Sequence, residues 1–134
     1  MLEGKNEIKI GNIRPTRDFN FVKDTCKGMV LLAEAGEKTT GKTINIGTGS
    51  EISIGELYEL IKESIGSSAK LIVENERIRP EKSEVYRLCC DNGFIKELTG
   101  FEPSYSLQKG LAETIEWFSK KENLVKFKTN IYNV

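Results

Sequence analysis

The chain has no histidine, only three cysteines and three prolines in 134 residues, and no net charge, its 20 Lys plus Arg balancing 20 Asp plus Glu. Without histidine the commonest general base is missing, so any proton transfer falls to carboxylates, Tyr or Lys. Cys26, Cys89 and Cys90 form no CxxC pair, and nothing completes a zinc or Cys/His site. Zero net charge removes the electrostatic pull toward nucleic acid or a membrane surface, and neither is expected as a partner. No apolar run approaches the roughly 18 residues that span a bilayer. The opening MLEGKNEIKI lacks the apolar centre of a signal peptide, so a cytoplasmic address is expected.

What is present is an alternation of strand and helix patterns, read as one α/β domain over residues 1–134. EIKIG (Glu7 to Gly11), RDFNFV (Arg17 to Val22), TINIG (Thr43 to Gly47) and KLIVENE (Lys70 to Glu76) have the alternation or apolar density of strands. Val22, Cys26, Met29, Val30 and Ala33 recur at helical spacing, predicting a helix from about Asp24 to Gly36 that buries this stripe. Ser53 and Glu56 form a capping box ahead of a second helix with Leu57, Leu60, Ile61 and Ile65 on its buried face. A short helix around Phe94 to Leu98 ends at Gly100, and Ser106 caps a last one with the stripe Leu107, Leu111, Ile115 and Phe118. Residues 120–134 read as a polar tail.

Two glycine motifs invite a nucleotide-binding reading. GEKTTGKT (Gly36 to Thr43) satisfies GxxxxGK[ST], but a phosphate-binding loop follows a strand and feeds a helix N-terminus. Here the order is reversed, so the segment reads as a helix end and a polar turn with Lys42 in solvent. An NTP-binding domain using Gly36 to Thr43 stands as an alternative. TINIGTGSEIS places Gly47 and Gly49 between a strand and a helix as in a dinucleotide fingerprint, yet Ile52 occupies the third glycine's place. A tight turn is the simpler reading.

PTRDFNFVKDT, INIGTGSEISIGEL, RPEKSEVYRLCCDN and GFEPSYSLQKGLAETIEWF, in that order, resemble the carboxy-terminal part of the extended short-chain dehydrogenase/reductase family. Within it they look most like the NAD-dependent nucleotide-sugar 4,6-dehydratases of the GDP-mannose type. The resemblance implies the C-terminal lobe of such an enzyme, with some elements that belong beside a Rossmann half. It implies that Arg17 and Arg79 reach the diphosphate of a nucleotide sugar and that Asn45 lies at the same site. Two guanidinium groups suit a diphosphate, being planar and permanently charged. The bland alternatives are surface ion pairs of Arg17 with Asp18 and of Arg79 with Glu81, and a backbone-satisfied Asn45.

Further expectations follow from the resemblance. Glu84, Val85, Leu88 and Asp91 fit the EVxxLxxD spacing of the GDP-mannose-type branch, with Asp91 read mainly as a helix cap and Trp117 and Phe118 as core. The family's glycine-rich NAD fingerprint, catalytic Ser or Thr and Tyr-x-x-x-Lys pair are not expected here. The chain alone is therefore expected to be inactive and to hold no NAD, with its substrate-side residues serving a 4,6-dehydratase or a 4-epimerase. A stand-alone binding domain is a further alternative. If the helix after RDF and the NIG strand lean on a Rossmann half in the family, Met29 and Leu31 lose a partner here. A homo-oligomer or loose order over residues 1–22 is the expected result.

Overall fold

The computed structural model describes residues 1–127, the side chain of Glu81 apart. Its strands are β1 (Glu7–Ile10), β2 (Thr16–Arg17), β3 (Ile52–Ser53), β4 (Lys70–Val73) and β5 (Arg87–Leu88). Its helices are α1 (Val22–Glu34), α2 (Ile54–Ile65), α3 (Gly93–Thr99), α4 (Leu107–Ser119) and α5 (Lys121–Leu124). β1 pairs parallel with β4, Glu7 opposite Lys70 and Ile10 opposite Val73. A three-stranded sheet has the order β3-β2-β5, with β2 antiparallel to β3 and parallel to β5. No helix among the described residues is long and apolar enough to cross a membrane.

Local chemistry sets most helix ends. Ser53 Oγ accepts from Glu56 N at 3.1 Å while Glu56 Oε2 accepts from Ser53 N at 3.0 Å, the reciprocal capping box that starts α2. Gly66 and Gly100 close α2 and α3 at φ 67° and 70°, the left-handed region that side chains avoid. Ser106 Oγ accepts from Lys109 N and starts α4.

Three expectations need correction. RDFNFV does not form a strand: only Thr16 and Arg17 pair, and α1 begins at Val22. Thr43–Gly47 joins no ladder among the described residues. The stripe on α1 is also inverted, Val22, Met29 and Val30 being 63%, 59% and 55% exposed and Cys26 and Ala33 exposed as well. The helix packs instead through Asp24 and Gly28. A Cβ at Gly28 would lie 2.8 Å from Ile46 Cγ2, so glycine is what lets the Thr43–Gly47 segment come this close.

The fully buried apolar side chains among the described residues are Tyr58, Ala69, Ile95 and Phe101. Beside them an open apolar cavity of about 600 Å³ runs between β1, α2 and the chain's far end, lined by Ile8, Ile10, Leu57, Ile61, Phe118 and Phe127 among others. Trp117, expected in the core, is 42% exposed and meets Phe118 edge-on at 5.0 Å. Of residues 120–134, Lys121–Leu124 is helical and Asn123 is buried, its amide donating to Trp117 O at 2.9 Å. Residues 128–134 lie outside the described residues.

Candidate functional site

β2 carries the first candidate. Arg17 pairs in register with Ile52 on one side and Leu88 on the other. Its guanidinium donates to Thr16 O at 2.7 Å and stands 3.8 Å from Glu84, whose side chain is 7% exposed. Asn12 Nδ2 donates to the same Glu84 carboxylate at 3.4 Å. The Arg17–Asp18 surface pair is thus not what forms.

Arg79 is exposed in the connection between a 3₁₀ turn at Asn75–Arg77 and β5. It precedes Glu84 by five residues, which holds its Cα within ~18 Å of the carboxylate-bearing residue that Arg17 touches. Asn45 is exposed, three residues before Thr48. Among the described residues no hydrogen bond or ion pair joins Arg17, Asn45 and Arg79 to one another. What connects them is two short loops that both return to β2.

The residue after Arg17 organises these loops, and sequence reading missed it. Asp18 Oδ1 accepts from Thr48 Oγ1 at 2.6 Å and Thr48 N at 3.2 Å. Its Oδ2 accepts from Thr48 N at 3.1 Å, Gly49 N at 2.9 Å and Cys90 N at 3.3 Å. The glycine loop therefore encloses an anion, and the anion is the protein's own carboxylate. Gly49 sits at φ 74°, and a Cβ on Gly47 would lie 2.4 Å from Cys90 Cβ. Asn92 Nδ2 adds a bond to Gly47 O at 3.1 Å. A sequence signal existed only in the pairing of an acid beside Arg17 with two glycines thirty residues on, a separation that local patterns do not cover.

The geometry bears on both glycine motifs. The donors a dinucleotide fingerprint would aim at a pyrophosphate are spent on Asp18, and Ile52 is in β3 opposite Arg17. These residues do not fit NAD. In GEKTTGKT, Gly36–Lys38 is a 3₁₀ turn closing α1, and Thr39 Oγ1 lies 3.0 Å from Leu32 O and 2.8 Å from Gly36 O. The next helix begins only at Ile54. Lys42 is exposed but stands 5.5 Å from the centre of the Phe94 ring, so it does not face solvent alone.

Other groups are committed too. Contrary to expectation, the Tyr-x-x-x-Lys spacing occurs twice, at Tyr58/Lys62 and Tyr105/Lys109. Tyr58 is buried with its hydroxyl donating to Ala69 O at 2.5 Å, which ties α2 to the start of β4. Tyr105 lies under Lys109, 4.3 Å from its ring centre, and stacks at a tilt on Phe21. Burial and the neighbouring Asp18 charge push the Cys90 thiol up, away from a reactive thiolate. Glu51 bonds Arg87 at 2.6 Å and Thr16 Oγ1 at 2.9 Å, and these two partners hold its carboxyl below the usual range. Asp91 accepts from Gly93 N at 2.9 Å, at the first turn of α3. Among the described residues no cluster of three or more potential ligands could hold a metal.

A mixed α/β unit with these four segments in this order is that of the extended short-chain dehydrogenase/reductases that act as nucleotide-sugar epimerases and dehydratases. The chain belongs to the family described as GDP-mannose 4,6 dehydratase, whose sequence model matches residues 1–114. It is 35% identical over 124 residues to the UDP-N-acetyl-alpha-D-glucosaminuronate decarboxylase of Bacillus cytotoxicus, covering 91% of this chain and 38% of that one. The UDP-glucose 4-epimerase of Thermotoga maritima, solved with UDP-glucose, superposes with a TM-score of 0.77 at 33% identity, over 91% of this chain and 37% of that one. The dTDP-glucose 4,6-dehydratase of Bacillus anthracis, solved with NAD, gives 0.74 at 25%, over 90% and 37%. The chain thus spans little more than a third of the length of these relatives.

Proposed function

We propose that this chain is the nucleotide-sugar-binding portion of an NDP-sugar 4,6-dehydratase, with Arg17 and Arg79 on the diphosphate and Asn45 on the sugar or base. The single observation that supports it best is the family match across residues 1–114, which includes all three positions. The local setting agrees: Arg17 is held half-buried on β2 by a backbone bond, and Arg79 is exposed on a loop. An amide such as Asn45 both donates and accepts, which suits sugar hydroxyls or a base edge.

In this reading the whole protein oxidises C4 of the linked hexose, eliminates water across C5 and C6, and reduces C6. The two redox steps belong to NAD, for which these residues offer no seat, so the chain contributes binding and is inactive by itself. A 4-epimerase would need the same grip on the diphosphate, and the identity to the Thermotoga maritima enzyme favours it as the second reading.

A ligand that binds only the folded state raises stability by about 1.4 kcal/mol at tenfold its Kd. For a domain of this size that is about 4–7 °C in Tm. GDP-, UDP- and dTDP-sugars are expected to divide into one nucleotide class that produces this shift and others that do not. The shift should vanish in both Arg17→Ala and Arg79→Ala. No response to any of the three, or a response that survives both changes, sinks the reading. Stabilisation by MgATP that Lys42→Ala removes would replace it with the NTP-binding alternative.

A further inference from the structure

A nearly buried carboxylate stands beside Arg17. The pairing of β2 with β5 brings it there: Thr16 N donates to Tyr86 O at 2.8 Å and Asp18 N to Leu88 O at 3.0 Å. The segment leading into β5 therefore runs alongside β2, and Glu84 comes two residues before the first of these contacts. Its side chain is 7% exposed against 24% for Arg17, so the acid is the deeper partner. Acids are almost never buried unpaired, because a charge taken out of water needs a counter-charge or several donors.

The two oxygens of Glu84 are divided between two neighbours. Oε2 accepts from Asn12 Nδ2 at 3.4 Å, and Asn12 is itself held, its Oδ1 accepting from Arg14 N at 3.1 Å. Oε1 faces Arg17 Nη2 at 3.8 Å. At the other end of the guanidinium, Nη1 donates to Thr16 O at 2.7 Å. The group is thus fixed at both Nη nitrogens, by a charge at one and a carbonyl at the other. A guanidinium has five N–H donors, and these contacts take two of them, which leaves three for an anion.

We infer that Glu84 is a positioning residue, which sets the plane of the Arg17 guanidinium before a diphosphate reaches it. The inference rests on the nucleotide-sugar reading and names the residue through which Arg17 is made ready. A long side chain that is mobile until its ligand arrives must be ordered on binding, and that ordering weakens the complex. Glu84 orders Arg17 in advance. Its charge meets the guanidinium at one nitrogen and from the buried side, so the exposed side of Arg17 stays open to an anion.

Nitrogen-15 NMR of the arginine side chains, with no ligand added, reads this positioning. Rotation about the Nε–Cζ bond merges the two Nη signals of a mobile arginine and leaves them apart in a held one. Arg17 is expected to give two Nη signals in the parent and one in Glu84→Gln, which keeps the side chain's shape and removes its charge. Asn12→Ala, which removes only the bond supporting Glu84, is expected to bring the two signals closer and serves where Glu84→Gln fails to fold. A single averaged Arg17 signal in the parent, or two that persist unchanged in both variants, overturns the inference. Titration with GDP-, UDP- and dTDP-sugars gives the functional arm. The one that binds the parent is expected to bind Glu84→Gln about fivefold more weakly, with the circular dichroism unchanged, the penalty for ordering one long side chain. Binding that Arg17→Ala removes and Glu84→Gln leaves untouched ends the positioning role alone. No binding to the parent ends the nucleotide-sugar reading and, with it, the purpose assigned to Glu84.

Discussion

Asp18→Ala is expected to lower the unfolding free energy by about 3 kcal/mol. Both carboxylate oxygens are acceptors, Oδ1 for the Thr48 hydroxyl and amide and Oδ2 for the amides of Thr48, Gly49 and Cys90. Alanine offers none of these donors an acceptor. Leaving a part-buried donor unmatched costs roughly 1–3 kcal/mol. The amides of Gly49 and Cys90 both lose their carboxylate partner, and the loss of the negative charge adds to this. The Gly47–Gly49 loop and the start of the 90–92 segment should loosen together, since the same oxygen holds both. Urea unfolding checks this: a lower midpoint at unchanged slope is expected. A variant within about 0.5 kcal/mol of the parent would mean that these bonds are exchanged for water at no cost.

Asp24→Ala is expected to cost about 3–4 kcal/mol, by a different route. Asp24 is 1% exposed, and its two oxygens accept from Ser104 N at 2.9 Å and Tyr105 N at 3.0 Å. It thereby fastens the first turn of α1 to the turn that launches α4, eighty residues away. A carboxylate in a first helical turn is also favoured by the helix dipole. Alanine removes that favourable contact and leaves two amides facing a void. Hydrogen exchange supplies the specific readout: the Ser104 and Tyr105 amides should lose protection before the rest of α4 does. A drop in Tm without faster exchange at those two amides would place the damage elsewhere.

Both residues show where the sequence was legible and where it was not. Helix ends were readable because their chemistry is local: Ser53 with Glu56, Ser106 and Gly100 act within four residues. The α/β class was readable for the same reason, from periodicity. The roles of Asp18 and Asp24 were not, because their partners lie thirty to eighty-one residues away and, the Thr48 hydroxyl apart, are backbone amides, which carry no side-chain signature. The α1 stripe was misread because helical spacing says that a face is apolar, not that something covers it. Thr43–Gly47 was misread in the same sense, since strand character in a sequence does not supply the strand beside it. The small size of the described sheets follows from that. For the site, resemblance singled out Arg17, Asn45 and Arg79, and the structure adds the loops that carry them without joining the three directly.

The scarcity of fully buried apolar side chains, four among the described residues, has a calorimetric meaning. The heat capacity released on melting grows with the oily surface that melting newly wets, and an ordinary domain of 134 residues gives about 1.6–2 kcal/mol/K. Here the α1 stripe and the long cavity are already wet, so scanning calorimetry should return a smaller increment. The stability curve bends in proportion to that increment. This chain's dome is therefore broad and low, and cooling takes away little of what it has.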